Sequence, residues 1–254
     1  MLDQILPGTL YAFFLVFARL GAVIMLLPGF GEAYVSPRVR LLFALLLSVV
    51  VMPLVVQHLP KIPDQPLLLG VHFIIEIIIG VFIGISVRFV VSALQMAGTV
   101  LAYQSSLANA FVFDPASAQQ SALSSAFLST TGVLLIFVTS LHHLMLAGIV
   151  DSYQVFEVGR SLPVSDMAET AARLLGRSFV LAMQIAAPFV VVGLLFSLGV
   201  GLVNRLIPQV QVFFIAMPMQ IAGGFLVLLL SVTGAMMWFL AAFEKEVRSL
   251  FIGG

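Results

Sequence analysis

Residues 95–129 read QMAGTVLAYQSSLANAFVFDPASAQQSALSSAFLS, and the interpretation of the whole chain depends on this stretch. Small residues recur at every fourth position in two series: Gly98, Ala102, Ser106 and Ala110, then Ser117, Ser121, Ser125 and Ser129. Residues four apart lie on one face of a helix, so each series predicts a ridge of small side chains. Another backbone can approach such a ridge closely.

Between the two ridges lies Phe111-Val112-Phe113-Asp114-Pro115. Proline has no N–H, and its ring pushes the preceding Asp114 away from helical geometry, so we expect a short irregular turn between two helices. A backbone group without a partner is costly in hydrocarbon, so irregular chain must be buried in protein or line a wet cavity. The turn therefore either protrudes from a membrane or belongs to a pore, a gate or an assembly.

The composition places the chain in a membrane. Of its 254 residues, 61% are hydrophobic and 9% are charged, and the mean hydropathy is +1.19. Soluble domains carry about 25% charged residues, so this is an integral membrane protein. The formal net charge of zero gives no basic surface for nucleic acid or anionic lipid, and the absence of cysteine excludes disulfides, thiolate catalysis and cysteine metal sites.

Apolar runs predict an all-α, polytopic fold with six or seven hydrophobic helices, because about 20 apolar residues cross a bilayer. The candidates are Leu10–Pro28, Leu41–Val56, Leu67–Leu94, Phe127–Val150, Phe179–Val203 and Val212–Phe243, with Gln95–Phe113 as a span or a re-entrant segment. Gly80 and Gly84 predict a close helix contact. Asp166–Gly176 is interpreted as a short amphipathic helix with Ser165 as its N-cap.

Glu76 and His72 lie one helical turn apart within an apolar segment. Ionisable groups inside membranes often mark proton or ion paths, but a path needs several of them, and only Arg19 and Arg88 are further candidates. A polar contact with another helix or subunit is the favoured interpretation. An ion- or proton-coupled secondary transporter that uses Glu76 and His72 is the alternative.

No motif predicts catalysis or a bound cofactor. His142 and His143 are neighbours, and neighbouring side chains on a helix point about 100° apart, which suits one metal ion poorly. The sequence contains no nucleophile elbow, Walker loop or dinucleotide fingerprint. We therefore expect neither enzymatic activity nor a cofactor or metal site.

Phe111 and Phe113 have two interpretations. They are either ordinary core aromatics or part of a hydrophobic constriction that closes a conduit by excluding water. Met217-Pro218-Met219 is interpreted as a helix kink at the proline, packed by adaptable methionine side chains.

Several segments together resemble the FliR family, the flagellar subunit of the type III export gate, whose counterpart in injectisomes is SctT. The segments are Phe17-Ala18-Arg19-Leu20-Gly21 through Pro28, Ser36-Pro37-Arg38-Val39-Arg40, Asp114-Pro115 with Gln120-Ser121-Ala122-Leu123-Ser124, His142-His143, Asn204-Arg205-Leu206-Ile207-Pro208-Gln209 and Ala216-Met217-Pro218-Met219-Gln220. The resemblance runs over essentially the whole chain in the same order.

The resemblance implies a two-part architecture. Residues 1–178 would form a FliP-like helical part, and residues 179–254 a FliQ-like helical hairpin, within one membrane-embedded unit. Residues 106–122 would form a plug in the channel, with Phe111, Val112, Phe113, Asp114, Pro115, Gln119 and Gln120 as plug residues. The hairpin would turn at an elbow formed by Asn204, Arg205, Pro208 and Gln209.

The resemblance also implies partners and a location. The chain would be a non-enzymatic subunit that assembles with FliP-like and FliQ-like membrane subunits and with a FlhB-like export protein. Unfolded export substrates would pass through the assembly. It would lie in the bacterial inner membrane as a multi-pass protein of the flagellar basal body, without nucleic acid.

Overall fold

The computed structural model describes residues 2–106, 122–160, 162–207 and 212–251, and within these ranges the chain is helical without any strand. The helices are α1 (Leu2–Leu26), α2 (Pro37–Val55), α3 (Pro66–Gln104), α4 (Ala122–Val138), α5 (Leu141–Val155), α6 (Val164–Leu206) and α7 (Val212–Phe251). A single 3₁₀ turn, Val56–His58, follows α2. The predicted all-α class is confirmed.

Five of the described helices are long and apolar enough to cross a membrane. The pair α4 and α5 reaches the same standard together, with a bend of 77° between its halves. Helices α3, α6 and α7 have 39, 43 and 40 residues. At 1.5 Å per residue they are about 58 to 64 Å long, roughly twice the hydrocarbon thickness of a bilayer. The chain is therefore a polytopic membrane protein.

Helix α2 begins four residues before the predicted Leu41. Ser36 has extended backbone geometry, and its hydroxyl accepts a bond from the Val39 amide at 3.4 Å. Pro37 occupies the first helical position, where its missing N–H costs nothing. A serine cap followed by proline fixes this start.

Two predicted boundaries are wrong because helices continue where a break was expected. Helix α3 runs through Gln95 without interruption, so residues 95–104 are its last turns and not a separate segment. Helix α6 likewise joins Asp166–Gly176 to the apolar run that follows. Ser165 lies after the first helical residue, Val164, and so is not the N-cap.

A third boundary is wrong in the opposite sense, because the predicted helix Phe127–Val150 is broken. It ends at Val138 and restarts at Leu141. Ser140, between the two helices, has a φ of +62°, which lies in the left-handed region and cannot continue a right-handed helix.

The chain divides into two compact units, and the first consists of Met1–Val90, Ile136–Leu175 and Glu244–Gly254. Its core includes fully buried apolar side chains of α1, among them Leu15, Leu20 and Ile24. Gly80 and Gly84 of α3 lie against this helix. A Cβ atom at Gly80 would lie 2.5 Å from the Arg19 carbonyl oxygen, and one at Gly84 would lie 2.6 Å from the Leu26 Cβ. The two glycines therefore form the close helix contact that their spacing predicts.

The second unit consists of Val91–Leu135 and Gly176–Phe243. Its buried side chains include Leu94 of α3, Leu128 of α4 and Phe239 of α7. Large apolar side chains remain exposed along its parts of α6 and α7, including Val191, Leu194, Leu195, Leu198, Leu202, Leu226, Leu229 and Leu230.

Candidate functional site

The candidate site consists of the two helix ends that flank the predicted plug. The plug residues Phe111, Val112, Phe113, Asp114, Pro115, Gln119 and Gln120 lie outside the described residues, as do the ridge residues Ala110, Ser117 and Ser121. The described parts are the last turns of α3, which lead to Ser106, and the first turns of α4. Both belong to the second unit.

Two serines, Ser105 and Ser106, follow the last residue of α3 and differ in their hydrogen bonds. The Ser105 amide still bonds to the Leu101 carbonyl at 2.9 Å, and its hydroxyl donates to the same carbonyl at 2.7 Å. The Ser106 amide bonds instead to the Tyr103 carbonyl at 3.3 Å, and Ser106 has a φ of +55°. The chain thus leaves helical geometry at Ser106, in a backbone conformation that residues other than glycine rarely adopt.

One side chain of α7, Gln220, holds this helix end at two points. Its Oε1 accepts a hydrogen bond from the Ser106 hydroxyl at 2.7 Å, and its Nε2 donates to the Gln104 carbonyl at 2.8 Å. The last carbonyls of a helix have no partner within the helix. Gln220 therefore supplies a partner for one of them and for Ser106, the second residue beyond the helix.

Glycines of α6 and α7 make room for this arrangement. A Cβ atom at Gly193 would lie 3.2 Å from the Gln104 Cβ, and one at Gly224 would lie 3.3 Å from the Ser105 Cα. A cavity of about 30 Å³ remains among Gln104, Ser105, Phe189, Gly193, Gln220 and Gly224. That volume is about the size of a single water molecule.

Small residues also bring α3 and α4 together. A Cβ atom at Gly98 would lie 2.7 Å from the Ser125 nitrogen. The Ser125 hydroxyl donates to the Gln95 carbonyl at 3.0 Å and lies 3.1 Å from the Thr99 hydroxyl. The structure thus places two residues of the predicted ridges, Gly98 and Ser125, in contact, and it buries a third, Ala102.

The predicted elbow is described only in part. Asn204 and Arg205 lie in the last turn of α6, where both are exposed, and the helix continues to Leu206. Pro208 and Gln209 lie outside the described residues.

The first unit contains a buried ion pair that the sequence did not predict as a pair. The Arg19 Nε donates to Glu76 at 2.6 Å and Nη2 donates to the other carboxylate oxygen at 3.0 Å. Arg19 also donates to the Ser152 hydroxyl at 3.2 Å and to the Phe156 carbonyl at 2.9 Å. Its guanidinium lies 3.9 Å from the centre of the Tyr153 ring. These contacts join α1, α3 and the end of α5.

His72 lies one helical turn before Glu76 on α3 and contacts α1. Its Nδ1 lies 2.6 Å from the Tyr11 hydroxyl. Since both oxygens of Glu76 are engaged by Arg19, the geometry favours polar contacts between helices over a proton relay through Glu76 and His72.

The rings of the two adjacent histidines lie close together and are tilted by 39° to each other. The His142 and His143 ring centres are 4.1 Å apart, and the His142 ring also stacks on Phe137 at 4.9 Å. Within the part of the chain that the structure describes, no group of three metal-ligating side chains is positioned to hold a metal ion.

The fold and these contacts define the class of protein. It is an all-α, polytopic membrane protein whose long helices are joined by buried polar contacts and small-residue packing. Residues 10–245 match the family described as Bacterial export proteins, family 1. The flagellar biosynthetic protein FliR of Caulobacter vibrioides is 40% identical over 229 residues, which cover 90% of this chain and 91% of that protein.

Two further relatives extend the match. The FliR proteins of Bacillus subtilis and Escherichia coli are 31% and 27% identical, over 86% and 91% of this chain. This chain therefore belongs to the FliR family of bacterial export proteins, and the resemblance drawn from the sequence segments is confirmed.

Proposed function

We propose that this chain is a non-enzymatic subunit of the flagellar type III protein export gate, that it forms part of the export channel and that it closes the channel at rest. The observation that carries the proposal is the 40% identity to a flagellar FliR protein over 90% of the chain. The match includes the segment between α3 and α4, where sequence reasoning independently predicts an irregular turn.

Within the gate, we propose contacts with FliP-like and FliQ-like membrane subunits and with a FlhB-like protein. The exposed apolar faces of α6 and α7 support this, because such faces are covered either by lipid or by neighbouring helices. The FliP-like part, residues 1–178, and the FliQ-like hairpin, residues 179–254, remain our proposed division. Its boundary falls inside the continuous helix α6.

The proposed location is the inner membrane, at the flagellar basal body. Purification in mild detergent tests the assembly. We expect two other small, very hydrophobic membrane proteins to co-purify in fixed excess. A chain that purifies alone while export proceeds normally would contradict the proposed assembly.

The proposed plug is residues 106–122, including Phe111, Phe113 and Asp114-Pro115. The side chains between Ser106 and Ala122 would obstruct the channel until a substrate displaces them. Deletion of Val112–Ala118 should therefore make membranes permeable to small ions while the assembly survives, and ion flux into vesicles measures this. Unchanged permeability in a correctly assembled complex would exclude the plug.

A further inference from the structure

Gln220 stands out among the described polar residues because it uses both ends of its side-chain amide on one short segment of another helix. The acceptor bonds to Ser106 and the donor bonds to Gln104, whose positions differ from that of Gln220 by 114 and 116 residues. Ser106 is 3% exposed, so its hydroxyl has little access to water as a substitute partner. Loss of the amide would leave a buried hydroxyl and a helix-end carbonyl without partners.

The backbone conformation of Ser106 links this contact to the direction in which the chain leaves α3. Its φ of +55° lies in the left-handed region, which costs free energy for any residue with a Cβ atom and persists only where the surroundings fix it. The contact that fixes the side chain is the 2.7 Å bond to Gln220. The same side chain therefore sets where α3 ends and the direction in which the backbone leaves it.

Two glycines allow close packing around the contact that Gln220 makes. Gly193 and Gly224 allow α6 and α7 to approach Gln104 and Ser105 more closely than any larger residue would permit. A glutamine on a lipid-facing surface would need none of these features.

We propose that Gln220 is a positioning residue of the export gate, which fixes the end of α3 and thereby the point from which the following segment departs. In its effect on permeability, the inference rests on the proposed function. Movement of α7 at Gln220 would break both hydrogen bonds at once and so release the end of α3 from α7.

The structural test uses Gln220→Leu, which keeps much of the side-chain volume and removes both the donor and the acceptor. In the full chain, purified with its co-assembling subunits, we expect hydrogen exchange of the amides at residues 103–106 to accelerate by on the order of tenfold. Ser106→Gly should give a smaller change, because it relieves the backbone strain and retains the bond to Gln104. The double variant should be non-additive, since both changes remove the same bond.

Ser231→Ala is the matched control on the same helix. Its hydroxyl donates to the Val227 carbonyl of α7 itself at 2.7 Å, so exchange at residues 103–106 should not change. Equal exchange in Gln220→Leu and Ser231→Ala would overturn the inference.

The functional test measures ion leakage through vesicles that contain the assembled complex, with the Val112–Ala118 deletion as reference. Gln220→Leu should raise leakage severalfold relative to Ser231→Ala, at unchanged assembly. If the deletion leaks and Gln220→Leu does not, the positioning role is wrong and the plug stands. If the deletion itself does not leak, the plug is wrong, and the exchange measurement alone decides the inference.

Discussion

Arg19 and Glu76 are completely buried, and the free energy of removing two such charges from water is large. The pair is tolerated because Arg19 makes two bonds to the carboxylate and further bonds to Ser152 and the Phe156 carbonyl. Burying the pair together costs far less than leaving either charge alone. The two residues therefore act as one element of stability in the first unit.

Replacement of Arg19 by methionine should lower the free energy of unfolding by roughly 3–5 kcal/mol, because Glu76 then lacks its partner. The double variant Arg19→Met/Glu76→Leu should recover most of this loss. Unfolding of the purified protein in mixed micelles measures both.

Arg248→Met is the control for this prediction. Arg248 and Glu244 form an exposed pair one turn apart on α7, so its loss should change the free energy of unfolding by less than about 1 kcal/mol. A double variant whose loss equals the sum of the two single losses would show that Arg19 and Glu76 do not act as a pair.

At the scale of single residues, the sequence identifies candidates but not their partners. Arg19 and Glu76 are recognisable as charges within apolar runs. Their pairing across 57 positions depends on how α1 and α3 pack, which no local pattern encodes. Gln220 has no local signal beyond its place in a segment that resembles the family, because its role depends on the distant Ser106.

At the scale of helices, packing of small residues overrides weak local propensity. Small and polar residues are crowded after Leu94, and the sequence therefore predicts Gln95–Phe113 as a separate span or a re-entrant segment. Helix α3 nevertheless continues through Gly98, which allows Ser125 of α4 to approach and to donate a hydrogen bond to the Gln95 carbonyl. The break between α4 and α5 at Ser140 could not be predicted from the local sequence. No glycine or proline lies between Gly132 and Gly148, so its left-handed conformation has no local sequence signal.

Gly98→Leu tests the contact between α3 and α4. The side chain would overlap the Ser125 backbone, so we expect a loss of about 1–3 kcal/mol in the free energy of unfolding, together with increased protease sensitivity near residues 95–104.

Gly70→Leu is the matched control on the same helix. Nothing lies within 4 Å of a Cβ atom at Gly70, so this change should be neutral or stabilising by up to about 1 kcal/mol through helix propensity. Equal destabilisation by the two variants would show that helix propensity, and not the close approach of α4, decides the effect.

At the scale of the whole molecule, composition predicts the class but not how the chain divides. The apolar content and run lengths are sufficient to predict an all-α membrane protein. The first unit, however, combines three separate stretches of sequence, including the end of α7. There Phe251 packs its ring against Gly148 of α5, and Val247 is fully buried.

Phe251→Ala should therefore destabilise the first unit by about 3–5 kcal/mol through loss of buried area and a new cavity. Trp238→Ala, at a half-exposed position of the same helix, should cost much less. Unfolding of the full-length variants, followed by proteolysis at α5, distinguishes them. Equal losses would show that the chain end is not part of this core.

The packing of Phe251 on Gly148 has a consequence for biosynthesis. Glu76 and Phe251 are separated by 175 positions, so at roughly 5–20 residues per second the ribosome makes Phe251 about 9–35 s after Glu76. During that interval the helices already inserted in the bilayer lack the packing contacts that the end of α7 supplies. Synthesis and insertion of α7, rather than packing itself, would then limit the rate at which the first unit completes its core.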